Sequence, residues 1–503
     1  MKKSYAIRWF LIVAFISTTQ IVFSQIKPTK EELSYAQELR KKFPKDDFYS
    51  TESQVKFSFE YSKDKKDLTP VKVNEVKSES IVRIKDGKSV SFANSVGYNN
   101  SSSVSEIKVY DKKGTLKKYD AVTQRKTYES SGIFHSDAKV FIYSLHFPDQ
   151  GNFYRYDLFK RYEDVKYLTA VYFHEHYPIG EKTLVFELPE WVDVELKEMN
   201  MDGYDLIKSV TSDPKKKTTT YSFTLKKLEA HRSESNSPGP SFILPHILVL
   251  SKSYTAKDGS KQTLFNTTQD LYNWYAGLVK EIGNETDFLK NLVDKITASA
   301  KTDEEKIEAM FYWVQDNIRY IAFEEGIAGF KPEKCNKVFD YKYGDCKGMA
   351  NLLKEMLITA GFDARLAWLG TRHIAYDYSI PSIAVDNHMI CVLMYKGEKY
   401  FLDPTETYVS FGDVAHRIQG RQTIIENGDK FELAMIPEYS NEKNKVEIIR
   451  KLEVQDDLLV GESIERYNGE GKRNIMRGYN SIKTDKKEEA LKNFLSGRNK
   501  NLS

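Results

Sequence analysis

The stretch Tyr343-Gly-Asp-Cys-Lys-Gly348 places a cysteine at the first turn of a predicted helix. From Cys346 onward, apolar residues recur at three-and-four spacing up to Ala360, and Gly361 then provides a C-cap signal. A thiol at this position feels the positive end of the helix dipole and unpaired backbone N–H groups, and both favour the thiolate. Lys347 adds a nearby positive charge. The stretch therefore predicts a nucleophilic cysteine whose own backbone N–H can stabilise an oxyanion.

His388 and Asp403 are the predicted partners of this cysteine. His388 heads a predicted strand over 389–395, and the turn Lys396-Gly-Glu-Lys399 leads back to a second strand that ends at Asp403. A hairpin centred on this turn places His388 opposite residues 404–408, close to Asp403. Asp403 can then accept a hydrogen bond from the imidazole and fix its tautomer. We therefore predict a triad in which Cys346 is the nucleophile, His388 the general base and acid, and Asp403 the orienting residue.

Three ordinary explanations compete with this triad. A cysteine at a helix start can be a small buried side chain, a histidine at a strand end can be a surface residue, and an aspartate before proline can form a turn. The order of the three residues, with a helix followed by a hairpin, favours the catalytic interpretation.

Predicted helices precede this cysteine and predicted strands follow its helix. Apolar residues at helical spacing predict a helix over 271–282, and Thr302 with Glu305 forms a capping-box pattern at the start of another. Strand patterns follow at 364–369, 389–395 and 400–402. This order predicts an α+β domain with an antiparallel sheet, and we place its bounds at 262–437.

Short runs of β-branched and aromatic residues, separated by turns, occupy most of the chain from residue 55 to residue 250. Because amphipathic helices do not interrupt them, they predict a β-sandwich-like domain over residues 26–255. The run His174-Glu-His176 would place two imidazoles on one face of a strand, as a metal pair would be. A third ligand cannot be named, so we predict neither a metal ion nor a cofactor.

The C-terminal part, residues 441–503, shows strand patterns at 446–454 and 458–464 and a helix pattern at 485–495. A piece of roughly 60 residues is marginal as an independent core. We therefore predict a short β-containing segment that either packs on its neighbour or is an incomplete β domain. The chain of 503 residues is thus predicted to be a multidomain α+β protein.

Charge and cysteine content exclude two classes of protein. The formal net charge of +3 at pH 7 offers no basic field for a nucleic acid, so we predict no such partner. The three cysteines, Cys335, Cys346 and Cys391, are too few for a disulfide-stapled scaffold, and their odd number leaves at least one free thiol.

The N-terminus has the pattern of a secretory signal. Met1-Lys2-Lys3 is followed by an apolar run over 9–16 and by Val22-Phe-Ser24, which predicts cleavage before Gln25. A membrane anchor is the alternative, but the apolar run is shorter than the roughly 20 residues that cross a bilayer. We therefore expect a signal peptide over 1–24, a periplasmic or secreted protein, and no membrane span after cleavage.

The chain resembles the transglutaminase-like superfamily, which has a papain-like fold. The resemblance covers residues 302–437. Four motifs carry it: Trp313-Val-Gln-Asp-Asn-Ile-Arg-Tyr-Ile321, Tyr343-Gly-Asp-Cys-Lys347, Asn387-His388 and Phe401-Leu-Asp-Pro404. The β-rich N-terminal part is similar to an uncharacterised domain that often precedes such cores in exported bacterial proteins.

The resemblance implies the same triad roles for Cys346, His388 and Asp403. It also implies an aromatic side chain that assists the oxyanion, for which Tyr320 is the candidate; we favour core packing as the explanation of this tyrosine. Relatives often have an aspartate after the Cys-Lys pair, where this chain has Gly348. That departure concerns the residues around the triad, not the triad itself.

Two functions remain open from the sequence. The first is an exported cysteine-dependent acyl-transfer enzyme acting on peptide or amide bonds of a peptide or protein substrate. Its acceptor is water in a protease or amidase and an amine in a crosslinking enzyme, and we favour hydrolysis slightly. The second is a non-catalytic exported binding or assembly protein whose transglutaminase-like domain is structural. The sequence leaves the oligomeric state open.

Overall fold

The computed structural model describes residues 27–64, 69–117, 121–127, 139–321 and 329–496. The predicted signal peptide over 1–24 lies outside these residues. None of the described helices combines the length and the apolar character that crossing a bilayer requires.

Strands dominate the N-terminal half, as predicted. Two helices, α1 (Lys30–Lys42) and the single turn α2 (Pro240–Ile243), accompany them. The strands are β1 (Phe48–Tyr61), β2 (Val71–Arg83), β3 (Val90–Tyr98), β4 (Ser102–Val104), β5 (Lys108–Tyr110), β6 (Ala121–Thr127), β7 (Lys139–Phe147), β8 (Phe153–Tyr162), β9 (Ala170–Tyr172), β10 (Ile179–Pro189), β11 (Val192–Met199), β12 (Ile207–Asp213), β13 (Thr218–Leu228), β14 (His246–Thr255) and β15 (Lys261–Thr263).

These strands form three sheets around one apolar core. The largest has the order β12-β13-β10-β1-β2-β8-β4, with β5 also paired to β8. A second joins β11, β14, β15 and β9, and a third has the order β3-β7-β6. Phe57 of the first sheet, Ile247 of the second and Phe141 of the third belong to one buried cluster. The packed sheets agree with the predicted sandwich-like arrangement.

An α+β core follows. Its helices are α3 (Thr268–Lys280), α4 (Leu289–Ile296), α5 (Asp303–Asn317), α6 (Cys335–Tyr341) and α7 (Cys346–Thr359). Its strands are β16 (Arg319–Tyr320), β17 (Tyr343–Gly344), β18 (Asp363–Leu369), β19 (His388–Tyr395), β20 (Glu398–Leu402), β21 (Gln422–Asn427) and β22 (Lys430–Met435). Strands β18 to β22 form an antiparallel sheet of order β20-β19-β18-β21-β22. The fold is therefore multidomain α+β.

Helix α7 has the apolar face and the glycine after its C-terminus that the sequence indicated, and it also has a side-chain N-cap. The Asp345 side chain caps it by accepting a hydrogen bond from the Gly348 N–H at 2.8 Å. Gly361, with a φ of +91°, follows the C-cap and takes the left-handed conformation that ends helices. The apolar face of the helix, including Leu352 and Leu353, is buried in the same cluster as Cys391 of β19. This packing fixes the start of α7 against the head of β19.

The β-rich part and the core share packed surfaces. Leu248 and Leu250 of β14 lie in a buried cluster with Cys346 and Trp368 of the core. The imidazole of His246 also hydrogen-bonds the hydroxyl of Tyr376. The N-terminal sheets therefore support the helix that presents the cysteine.

The C-terminal part contains a hairpin and two helices. They are β23 (Val446–Gln455), β24 (Leu458–Tyr467), α8 (Gly469–Ser481) and α9 (Lys487–Leu495). The strand patterns and the last helix were predicted, whereas α8, α6 and α4 were not. The domain bounds 26–255, 262–437 and 441–503 stay a prediction.

One local prediction is wrong. His174, Glu175 and His176 lie in the connection between β9 and β10, not on a strand, so the two imidazoles do not share a strand face. The Glu175 carboxylate instead pairs with the ammonium groups of Lys77 and Lys182, each at 2.9 Å. Within the described residues, no group of three or more His, Cys, Asp or Glu side chains is placed to hold a metal ion.

Candidate active site

Cys346 is the first residue of α7, and only 6% of its surface is exposed. Burial alone would raise the pKa of its thiol. The positive charge of Lys347 and a hydrogen bond with His388 outweigh burial, so the pKa of Cys346 lies below its usual range. The charges around Cys346 therefore shift its titration toward the thiolate, while its role as a nucleophile stays a prediction.

Lys347 is itself buried and paired. Its ammonium group forms an ion pair with the carboxylate of Asp345, and both residues are less than 5% exposed. Asp345 thus has two roles, because it caps α7 and also fixes the lysine beside the thiol. A buried ion pair of this kind is costly to break, so the positive charge is held in place.

The hairpin of β19 and β20 brings His388 to Asp403. Cys391 pairs with Leu402 in the ladder, so His388 at the head of β19 lies beside the residues that follow β20. The His388 Nε2 atom is 2.9 Å from Asp403 Oδ2. Burial would lower the pKa of His388, but Asp403 and then Cys346 raise it to about 9. The imidazolium is therefore favoured opposite the thiolate.

The three predicted residues lie together in one buried site. The Nε2 atom of His388 faces Asp403, so Nδ1 is the ring nitrogen that remains for Cys346. Burial would raise the pKa of Asp403, but the positive charges of His388 and Arg417 hold it well below its usual range. The arrangement has the connectivity of a nucleophile, a base and an orienting carboxylate. The catalytic roles themselves stay a prediction.

Arg417 is a neighbour of the triad that sequence reasoning missed. Its Nη2 atom donates to Asp403 Oδ2 at 3.1 Å, and it also contacts the hydroxyl of Thr405. Its Nε atom lies 3.1 Å from Glu406 Oε1, and Glu406 in turn pairs with Arg477 of α8. A chain of charges therefore runs from the C-terminal helix to the triad. No local pattern around residue 417 pointed to this contact.

A small cavity of about 140 Å³ opens beside the thiol. It is lined by Tyr320, Gly329, Phe330, Asp345, Cys346, Lys347, Asp386 and Asn387. Tyr320 is 36% exposed, so the explanation that we favoured for it, core packing, is wrong. Strand β16 pairs with β17 so that Tyr320 lies opposite Gly344, two residues before the cysteine. Tyr320 is thus placed beside the reactive centre.

Cys335 and Cys391 differ from Cys346. Both are free, fully buried thiols whose pKa burial raises to about 12. Cys391 packs in the core, as expected from its position three residues after His388. All three cysteines are free, so Cys335 and Cys391 do not form a disulfide bond.

Comparison with known proteins agrees with this core. Residues 290–389 match the family model of the transglutaminase-like superfamily. A search among curated proteins found no match. Among solved structures, the chain is similar to a "putative protease" from Parabacteroides distasonis ATCC 8503, with a TM-score of 0.54 and 12% identity over 82% of this chain and 79% of that one.

A "putative cysteine protease" from Cytophaga hutchinsonii also matches, with a TM-score of 0.20 and 10% identity over 71% of this chain and 78% of that one. The Parabacteroides distasonis structure has the larger TM-score of the two. At 12% identity it shows a common fold and nothing about the substrate. Residues 290–389 of this chain therefore match the core of the transglutaminase-like superfamily.

Proposed function

We propose that this protein is a cysteine-dependent acyl-transfer enzyme that acts on peptide or amide bonds. The observation that carries the proposal is the buried connection from the Cys346 thiol through the His388 imidazole to the Asp403 carboxylate. A lowered thiol pKa and a raised imidazole pKa are the shifts that a thiolate–imidazolium pair produces. A structural domain has no need of such a pair.

In the first half of the reaction, the Cys346 thiolate attacks the carbonyl carbon and forms a tetrahedral oxyanion. The N–H of Cys346 lacks an intrahelical partner because it lies in the first turn of α7, so it can donate to this oxyanion. The hydroxyl of Tyr320 is the candidate second donor. His388 then gives its proton to the departing amine, the C–N bond breaks, and a thioester on Cys346 remains.

In the second half, an acceptor takes the acyl group. His388 removes a proton from the acceptor, the acceptor attacks the thioester carbonyl, and the thiolate of Cys346 departs. Water as acceptor gives hydrolysis, and an amine gives a crosslink. We propose hydrolysis as the main outcome because Tyr320, at the cavity, is 36% exposed, which leaves water a way to the thioester.

The proposal is tested by labelling the protein with a thiol-directed acyl probe. We expect wild type and Cys335→Ala to be labelled, and Cys346→Ser to be unlabelled, because only Cys346 has a lowered pKa. His388→Ala should be labelled much more slowly. Equal labelling of wild type and Cys346→Ser would contradict the proposal and favour the non-catalytic binding or assembly function.

Activity should depend on pH in a bell shape. The ascending limb follows formation of the Cys346 thiolate, whose pKa is lowered, and so lies below the range of an ordinary thiol. The descending limb follows loss of the His388 proton as pH rises through about 9. Initial rates on a peptide amide between pH 4 and pH 11 measure both limbs; a rate that keeps rising above pH 9 would exclude the imidazolium as the proton donor.

Export belongs to the proposal and rests on residues 1–24 alone. Expression of the full chain in a bacterial host, followed by mass spectrometry of the mature N-terminus, is expected to find Gln25 as the first residue. An unprocessed Met1 would contradict it.

A further inference from the structure

Asp386 is a buried carboxylate that the triad does not use. It lies two residues before His388, is 7% exposed, and lines the cavity that also contains Cys346. A carboxylate in such a place loses most of its hydration and requires compensating partners. The partners that the structure provides are incomplete.

Among the described residues, the hydrogen bonds to this carboxylate reach one of its two oxygens. The hydroxyl of Tyr275 and the hydroxyl of Tyr378, the latter at 3.4 Å, both donate to Asp386 Oδ2. Within the described part of the chain, no hydrogen bond reaches Oδ1. Oδ1 is not among the buried side-chain atoms of the described residues that lack a hydrogen-bond partner. Because Asp386 lines the cavity and its two hydrogen bonds engage Oδ2, Oδ1 is the oxygen that remains for a ligand there.

Among the described residues that line the cavity, carboxylates outnumber ammonium groups. Asp345 and Asp386 contribute two carboxylates, and Lys347 contributes one ammonium group, which is ion-paired with Asp345. The lysine also lies near enough to Asp386 to favour its ionised form, but burial prevails and raises the pKa of Asp386 to about 7. A second ammonium group in the cavity would balance the charges and favour the ionised form of Asp386.

The size and the apolar wall of the cavity fit an amine. A volume of about 140 Å³ is well below the roughly 300–1,000 Å³ of sites for drug-sized ligands. It therefore suits a terminal group rather than a whole side chain. The ring of Phe330 lines it, and the ring of Tyr275 stacks on Phe330 with centroids 6.3 Å apart. An aromatic face is favourable for the carbon atoms next to a cationic nitrogen.

We propose that Asp386 forms a subsite for a protonated amine carried by the acyl donor, held next to the carbonyl that Cys346 attacks. The inference rests on the proposed function and names its substrate class: peptides with a free amino group near the scissile bond, either an α-amino terminus or a side-chain ammonium. The carboxylate accepts hydrogen bonds from the ammonium group, while Tyr275 and Tyr378 hold its other oxygen in place.

The first test needs no substrate. The rate at which iodoacetamide labels Cys346 is measured with n-butylammonium chloride, with n-butanol as the neutral match, and with sodium chloride as the ionic-strength control. We expect the ammonium ion to slow labelling of wild type several-fold, butanol and salt not to do so, and Asp386→Asn to lose the protection. Equal protection in wild type and Asp386→Asn, or no protection in wild type, would overturn the subsite.

The second test compares peptides that differ only in acetylation. For wild type, kcat/KM should be higher for the free amine than for the acetylated peptide, and Asp386→Asn should reduce this ratio by about tenfold or more. Asp386→Glu, which keeps the charge, should restore part of the ratio. Peptides with the amine at the α-position or on a lysine side chain distinguish the two sources of the ammonium group.

Two outcomes of the peptide test count against the subsite. If Asp386→Asn leaves the ratio of kcat/KM between the free-amine and acetylated peptides unchanged, Asp386 has only a structural role. Acceleration of the acetylated peptide by added butylamine assigns the cavity to the acceptor instead. Failure of the proposed function is recognised separately, because wild-type Cys346 would then show neither acyl-probe labelling nor peptide turnover, whatever the protection by butylammonium.

Discussion

Cys346 and Cys391 are both buried thiols, with 6% and 0% of their surfaces exposed, yet their pKa values move in opposite directions. Around Cys391, burial dominates, and the pKa rises to about 12. Around Cys346, Lys347 and His388 outweigh burial, and the pKa falls. Burial thus does not decide whether a thiol is reactive; the charges that are buried with it do.

Strand β19 carries the imidazole and the second thiol on different faces. His388 and Cys391 are three residues apart on β19, so their side chains point to opposite faces of the sheet. One face presents the imidazole to the start of α7, and the other packs against the apolar side of the same helix. Packing of α7 on β19 and the contact between the thiol and the imidazole therefore use different side chains of the same strand.

Removal of the His388 imidazole should have the largest effect on the difference between Cys346 and Cys391. His388→Ala should lower kcat/KM by about 10³-fold or more, because both the base and the partner that stabilises the thiolate are lost. The pKa of Cys346 should rise toward that of Cys391, which the pH dependence of its alkylation rate measures. His176→Ala, which changes an exposed histidine, is the matched control and should behave as wild type.

Removal of the orienting carboxylate should have the next largest effect. Asp403→Ala should lower kcat/KM by about 10²-fold or more. Without the carboxylate, the pKa of His388 should fall from about 9, since Asp403 is the main group that raises it. The descending limb of the pH–rate profile would then move to lower pH. Asp429→Ala, at an exposed carboxylate, is the control, and an unmoved limb in Asp403→Ala would contradict the assigned role.

The positions of Cys346, His388 and Asp403 could be predicted because local sequence patterns indicate them. The apolar face of α7, its ending at Gly361 and the turn at residues 396–399 are each visible within a few residues, and together they fix where Cys346, His388 and Asp403 meet. Short-range signals of this kind depend on backbone geometry, which the sequence encodes directly.

The Tyr275–Asp386 contact could not be predicted, because it joins residues 111 apart in the chain. The contact of Arg417 with Asp403 could not be predicted because no local pattern marks the segment after β20 that carries the arginine. His174 was misplaced for a related reason. The aromatic residues around His174 are typical of a strand. Pro178, however, has no backbone N–H to donate to a strand partner, and Glu175 forms ion pairs with Lys77 and Lys182 instead.

Substitution of Arg417 should have a smaller effect on activity than substitution of His388 or Asp403. Its Nη2 atom donates to the same Asp403 oxygen that accepts from His388. Arg417→Gln should lower kcat/KM by about tenfold, since a hydrogen bond to a charged group contributes roughly 1.5–3 kcal/mol and is here only partly lost.

Loss of this positive charge should also raise the pKa of His388 further, so the descending limb would move above pH 9. Arg417→Lys keeps the charge and should keep the position of the limb. If Arg417→Gln lowers kcat/KM but leaves the descending limb of the pH–rate profile in place, the arginine only supports the segment that carries Asp403.

The smallest effect on activity is expected at the other thiol. Cys391→Ala removes a fully buried sulfur atom from the cluster between α7 and β19, which should cost about 1–2 kcal/mol of unfolding free energy. Acyl-probe labelling of Cys346 at pH 7 should stay within twofold of wild type, because Cys391 lies on the opposite face of β19 from His388. Urea denaturation measures the first quantity and labelling kinetics the second. A large loss of labelling in a variant that remains folded would mean that packing between α7 and β19 sets the thiol–imidazole contact more tightly than the charges do, and the comparison of the two thiols would have to be reversed.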